Sequence, residues 1–136
     1  MAWTCPDCDR RFRRRQRHEC SPAMTVEEYF ATGPPHERPV FDAVMAHVDT
    51  LPDVHVEPLS VGIYLKRAQT FAVLTPKTRW VALGFSLPRV ETGVRIARKV
   101  EPAGPRWWHT VNLRGPGDVD DQVRDWLTEA YLSSPT

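Results

Sequence analysis

The chain has 136 residues, of which 41% are hydrophobic, and a formal net charge of +1 at pH 7. That length allows one small domain that buries around two thirds of its unfolded surface and folds unaided. No apolar run approaches the ~20 residues of a membrane span, and the cationic N-terminus lacks the apolar stretch of a signal peptide, so a reducing cytoplasm is the expected setting. The charge is uneven: residues 1–20 carry six arginines against Asp7, Asp9 and Glu19, while the remainder holds twelve basic and fourteen acidic residues. Arginine outnumbers lysine fifteen to three and there are thirteen prolines. A bias of that kind weakens any inference drawn from counting arginines.

The head, CPDCDRRFRRRQRHEC, holds all three cysteines, Cys5, Cys8 and Cys20, with His18 in the spacing Cys-x2-Cys-x9-His-x-Cys. Structural zinc takes four such ligands in a tetrahedron, and Cys3His is one of its standard sets. The Cys-x2-Cys half forms a tight turn. His18 and Cys20, at i and i+2, share a side of an extended segment but not of a helix, so they are expected on a strand or turn. Phe12 is placed to pack beside the ion. A disulfide framework is disfavoured by the odd number of cysteines, and a redox Cys-x-x-Cys lacks the preceding strand of a thioredoxin-like unit. Four ligands so close in sequence describe a closed, structural site with one Zn²⁺ and no position kept open for catalysis.

The same head carries Arg10, Arg11, Arg13, Arg14, Arg15 and Arg17, with Phe12 and Trp3 able to stack. Guanidinium groups clustered on a metal-held platform contact phosphates by bidentate hydrogen bonds and counterion release, which gives nucleic-acid affinity without reading bases. The competing reading is a solvated basic face, or a docking surface for a protein partner or for the acidic C-terminal helix of this chain. Residues 1–22 are thus read as a zinc finger and residues 23–136 as an α+β domain, joined through 21–24.

In the body, TVEEYF reads as a short helix with Thr25 as N-cap and Glu28 completing a capping box. A second helix is expected to start between His36 and Pro39, because proline is tolerated only in the first turn, and to present Val40, Phe41, Val44, Met45, Val48 and Leu51 as one apolar stripe. From Val54 the period changes to two. Val54 and Val56; Val61, Ile63 and Leu65; Phe71 and Val73; Val81, Leu83, Phe85 and Leu87; Val94 and Ile96; and Val111 and Leu113 mark strands, broken at Pro58, Pro76, Pro88, Pro102 and Gly104. Their short connections predict an antiparallel sheet of five or six strands. Ala82, Gly84 and Ser86 leave the other face of the Trp80–Leu87 strand free of bulk, where a packed helix is expected ahead of a ligand. A last helix, about 118–132 with Asp118 as its cap, buries Val119, Val123, Trp126, Leu127, Ala130 and Tyr131.

The order VFDAVMAHVDTLP, VGIYLKRAQTFAVLTP, WVALGFSLP, RWWHTVNL and DVDDQVRDWLTEAYLSS resembles an uncharacterised bacterial family of unknown function, whose members are labelled as domains near predicted transport proteins. The resemblance covers roughly residues 36–132. Relatives with a Cys-x2-Cys and His-x-Cys finger in front match Cys5, Cys8, His18 and Cys20 one for one. It implies a small α+β fold with an antiparallel sheet and no established activity.

No HExxH, G-x-S-x-G or phosphate-binding glycine loop appears, so a non-enzymatic role is expected. His109 is the one residue that invites a catalytic assignment. On a strand it shares a face with Trp107, Val111 and Leu113, where a hydrogen-bonded, partly buried histidine is the commoner outcome than a general base. His36, His47 and His55 have no partner at metal spacing and are expected at the surface. The alternative function is a protein-interaction or ligand-sensing domain that uses the sheet face or the aromatics Tyr64, Trp107 and Trp108, with a purely structural zinc.

Overall fold

The computed structural model describes residues 2–6, 11–15 and 24–135. In the head, β1 (Trp3–Thr4) and β2 (Arg11–Phe12) pair antiparallel, with Trp3 opposite Phe12. Their rings stack with centroids 5.9 Å apart. The body runs α1 (Val26–Phe30), α2 (Glu37–Val48), β3 (His55–Leu59), β4 (Gly62–Lys66), β5 (Thr70–Pro76), β6 (Val81–Leu87), β7 (Glu101–Ala103), β8 (Arg106–Leu113) and α3 (Asp121–Ser133). Its sheet has the order β3-β4-β5-β6-β8-β7, antiparallel throughout. The fold is α+β, as expected.

Local chemistry explains the helix starts. The Thr25 hydroxyl accepts from Glu28 N at 3.0 Å while the Glu28 carboxylate accepts from Thr25 N at 3.4 Å, closing the capping box. Pro39 falls in the first turn of α2, where its missing N–H has no helical partner. The last helix departs from expectation. Asp118 does not cap it; its carboxylate accepts from Arg114 N at 2.8 Å and closes a single 3₁₀ turn over Pro116–Asp118. Asp120 is the cap, accepting from Val123 N at 3.1 Å.

The apolar faces of α2 and α3 share one core with Ile63, Leu65, Leu74, Val81, Leu83, Phe85, Leu87, Val111 and Leu113. Val56 and Ile96 pack at its margin. The alternation expected for Phe71 and Val73 is broken. A bulge between β4 and β5 leaves Phe71 without a cross-strand partner, so Phe71 and Ala72 are both buried while Val73 faces away. Phe71 meets the Tyr131 ring edge-on at 5.7 Å. The strand expected at Val94 and Ile96 reduces to one bridge, Ile96 to Val111, and Val94 is fully exposed. In its place β7 forms the sheet edge, reached from β8 through a tight turn whose Gly104 has φ 64°.

Contrary to expectation, no helix of the described residues covers Ala82, Gly84 and Ser86. Side chains of β8 cover the surface instead. A Cβ on Gly84 would stand 2.5 Å from Cζ2 of Trp108, so the indole lies directly on the glycine backbone. Arg106 covers Ser86, donating through Nε to its hydroxyl and through Nη2 to its carbonyl at 2.8 Å. The same guanidinium reaches the Ser133 carbonyl at 2.7 Å and the Ser133 hydroxyl at 2.8 Å, at the end of α3. It therefore binds two strands to the last turn of the last helix. Replacing Arg106 with Ala is expected to lower unfolding free energy in urea by about 2–3 kcal/mol. Arg106→Lys should recover less than half of that, because an ammonium cannot reproduce the fork.

Candidate functional site

Cys5 follows directly on β1, which pairs with β2. Cys5 is buried while its neighbours Thr4 and Pro6 are exposed, which turns its thiol inward as a metal ligand requires. Cys8, His18 and Cys20 lie outside the described residues, as do Arg10 and Arg17. Among the described residues no three His, Cys, Asp or Glu side chains converge as they would on a metal ion. Arg11, Arg13, Arg14 and Arg15 are exposed, and among the described residues none of the four makes an ion pair.

Most arginines of the body are engaged by other groups of the domain; Arg79 and Arg98 have no side-chain partner among the described residues. Arg38 grips Glu27 with two hydrogen bonds of 3.2 Å. Arg89 is bidentate on Glu129 at 2.8 and 2.9 Å and also reaches Glu91. Arg95 holds Asp120 at 2.8 Å and Arg124 holds Asp121 at 2.5 Å. Arg67 donates to the Tyr131 carbonyl at 2.9 Å, and its guanidinium stacks on that residue's ring. Two of the carboxylates that the head might have docked against, Asp120 and Asp121, thus have arginine partners within the body.

His109 is buried and both its nitrogens are occupied. Nε2 accepts from Glu91 N at 2.8 Å, so the proton sits on Nδ1, which faces the Trp107 carbonyl at 3.1 Å. The ring is neutral, and burial above all pushes its pKa below the ordinary histidine value. The imidazole stacks on Phe85, which stacks in turn on Trp126, each pair with centroids 5.4 Å apart. The Trp126 indole N–H and Arg89 both bind the Glu91 carboxylate and hold it below the usual carboxylate range. This is a structural histidine that pins the loop after β6. Of the others, His47 pairs with Thr128 Oγ1 at 2.7 Å and His36 with the Trp80 carbonyl at 3.3 Å, both half-buried; His55 is exposed.

A cleft of about 270 Å³ opens on the sheet face that carries no helix among the described residues. Its floor follows one cross-strand row, Tyr64, Val73, Gly84 and Thr110, with Thr75 and Ala82 one step along. Trp108 leans over Gly84 to form one wall and Tyr64 forms the other. Lys77, just beyond β5, and Arg98 bring two positive charges to it. Neither makes a side-chain ion pair or hydrogen bond among the described residues, and no carboxylate lines the cleft. Lys66 does not add a free charge; it is bound to Glu57 at 2.5 Å beside the Tyr64 ring. The small floor residues and Tyr64 and Trp108 were legible from the strand alternation. Lys77 and Arg98 were not, because Arg98 arrives through a loop that folds back along β8, with Ala97 N donating to the Thr110 carbonyl at 2.7 Å.

Residues 26–134 match the family described as a domain of unknown function, DUF5655. The chain belongs to that family. The match takes in the three helices and the whole six-stranded sheet, so the cleft and His109 are features of the DUF5655 domain and the β1–β2 hairpin stands outside it. No curated protein and no solved structure matches the chain.

A second, smaller recess of the DUF5655 domain, about 210 Å³, lies where α1 meets α2. Glu37 is almost fully buried there and accepts a short hydrogen bond from the Tyr29 hydroxyl. Burial raises the carboxyl's pKa, and burial together with the carboxylate raises that of the phenol. The two groups satisfy each other and clamp the helices. Glu28, Thr32 and Ser60 also line the recess, and the Glu28 carboxylate is engaged in the α1 cap.

His109 gives the domain a pH signature. Because its folded pKa lies below 6.5, the unfolded chain takes up the proton first as pH falls through about 6.5. Its contribution is present above that pH and lost below it. Urea unfolding at pH 7.5 and 5.5 is expected to show lower stability at the acidic value. His109→Gln, which keeps an acceptor for Glu91 N, should be less stable at pH 7.5 and show a shallower drop.

Proposed function

We propose that this protein is a non-enzymatic zinc-binding protein in which a metal-held hairpin presents arginines to nucleic-acid phosphates and the DUF5655 domain forms the folded body. The observation that carries this reading is the contrast between the two sets of arginines. Most of those of the body, Arg79 and Arg98 apart, are engaged by carboxylates, carbonyls or rings, whereas Arg11, Arg13, Arg14 and Arg15 follow closely in sequence, all exposed and with no ion pair among the described residues. Adjacent unspent guanidinium groups suit phosphate contact through counterion release. Cys5, Cys8, His18 and Cys20 are the zinc ligands in this reading, and the burial of Cys5 directly after β1 fits that role. The bound ion supplies a rigid tetrahedral crosslink, which suits a reducing cytoplasm where disulfides do not persist. His109, with both nitrogens in backbone hydrogen bonds, supports a binding role over a catalytic one.

A second reading, a ligand-sensing domain with a purely structural zinc, draws on the open cleft between Tyr64 and Trp108.

One equivalent of zinc is expected to copurify with the chain and to be lost when Cys5 and Cys8 are both replaced by Ser. Metal content by atomic absorption checks the first part. Unchanged urea unfolding of the body checks that the loss is confined to the head.

Fluorescence anisotropy with labelled duplex DNA should show affinity falling linearly with log salt, with a slope of about 3–4 if four phosphates are neutralised. Changing Arg11, Arg13, Arg14 and Arg15 to Gln should remove most of that slope without altering the unfolding midpoint. A slope that survives the four changes would overturn the reading.

A further inference from the structure

We propose that the helix-free face of the sheet is a binding site for a small aromatic acid, a planar ring carrying a carboxylate or phosphate. This inference stands apart from the nucleic-acid reading of the head, since it uses different residues on a different part of the chain.

The floor comes first. Gly84 lets the Trp108 indole lie flat on the β6 backbone, and Ala82 beside it is equally low. Tyr64 stands on β4, two strands away from β6. Adjacent strands are about 4.8 Å apart, so roughly 10 Å separates the strand that bears Tyr64 from the one that Trp108 overlies. That span, over Val73, is the scale of one planar group set against an aromatic wall, where offset stacking is favourable. The volume, about 270 Å³, lies just under the roughly 300–1,000 Å³ of common ligand pockets and suits a single small molecule.

Charge then selects among planar molecules. Lys77 and Arg98 line the cleft with no partner of their own among the described residues, in a domain that ties most of its other cations to carboxylates, carbonyls or rings. Cross-strand pairing puts two acids on that face: Glu57, paired with Lys66 and opposite Tyr64, and Glu101, on the edge strand opposite Trp108. Thr75 and Thr110 add hydroxyls that accept or donate. A neutral ring would leave two cations unanswered, and a bare anion would leave two aromatic walls unused. An aromatic acid answers both.

The test is titration of the zinc-loaded full chain with AMP, UMP, benzoate and nicotinate, followed by the amide resonance of Gly84 and the indole N–H of Trp108. Adenosine, benzamide, inorganic phosphate and a single-stranded oligonucleotide serve as comparators. At least one acid is expected to shift both signals saturably, with its neutral counterpart and phosphate alone weaker by about ten-fold or more. The double variant Lys77→Gln, Arg98→Gln keeps its fold, because neither side chain holds a partner, and should weaken that acid at least ten-fold. Gly84→Ala, which forces the indole off the floor, should do the same and provides a second route should Trp108 stay put in the first variant. The inference is overturned if no acid shifts these signals, if the neutral ring binds as well as the acid, or if the double variant retains full affinity. It is equally overturned if only the oligonucleotide responds, which would make the face a polymer-binding surface. Salt-dependent binding that is lost only on changing the head arginines would leave the cleft result unaffected, so the two readings fail separately.

Discussion

Phe85 stacks on the imidazole of His109 beside it in the sheet and on the indole of Trp126 above it, and much of the domain follows from those two contacts. They fix α3 over β6 and β8 on one side of the sheet. Because His109 also accepts the Glu91 amide, and Trp126 donates to the Glu91 carboxylate, the same stack anchors the start of the loop between β6 and β7. That loop continues along the outer edge of β8, with Ile96 bridged to Val111, and delivers Arg98 to the far face. One aromatic cluster thereby determines which face is buried and which charge decorates the other.

Covering a six-stranded sheet on a single face leaves a large area of strand surface to be satisfied by side chains alone. This domain does so with residues from its own strands: Trp108 laid over Gly84, Arg106 over Ser86, and Lys66 paired with Glu57 next to Tyr64. The solution is uneven. Towards the edge that carries Arg106 the surface is closed by hydrogen bonds, and around Ala82 and Thr75 it is open. A cleft on an otherwise well-tied face is a consequence of where the bulky side chains of β8 lean, and it depends on a glycine that no side chain could replace without displacing the indole.

The fold was largely legible in the sequence because its signals are local. The Thr25 and Glu28 box, the proline in the first turn of α2, and the period-two apolar rows each specify structure within a few residues. The errors share a different cause. Asp118 and Asp120 are both good caps, and the choice between them was made by Arg114 and Arg95, which lie elsewhere in the chain or come from another element. The bulge at Phe71 goes with an edge-on contact to Tyr131 far along the chain, and the edge strand β7 with pairing to β8, neither of which periodicity encodes. The helix expected over Ala82, Gly84 and Ser86 failed because small residues signal close approach without saying by what; here it is an indole from the neighbouring strand. The cleft was half legible for the same reason. Its floor and walls come from strand alternation, whereas Lys77 and Arg98 depend on a turn and a returning loop.

Arginine bias made the charges of this chain hard to interpret from composition, and pairing is what sorts them. An arginine held by two carboxylate oxygens, as Arg89 is by Glu129, has its donors and its charge used inside the molecule and offers little to a partner. Surface pairs of this kind contribute modestly to stability, typically under about 1 kcal/mol each, so their main effect is to remove charge from recognition. Among the described residues, apart from single positions such as Arg79 and Lys99, what remains falls in two groups: the run on β2 and after it, and the pair Lys77 and Arg98 in the cleft. The first is an exposed run beside the Trp3–Phe12 stack, proposed to meet a charged polymer; the second lies in a cleft bounded by rings, proposed to take a small molecule. The distinction between the two lies in shape, since the charge is the same, and that is why the head and the sheet face are assigned different kinds of anion.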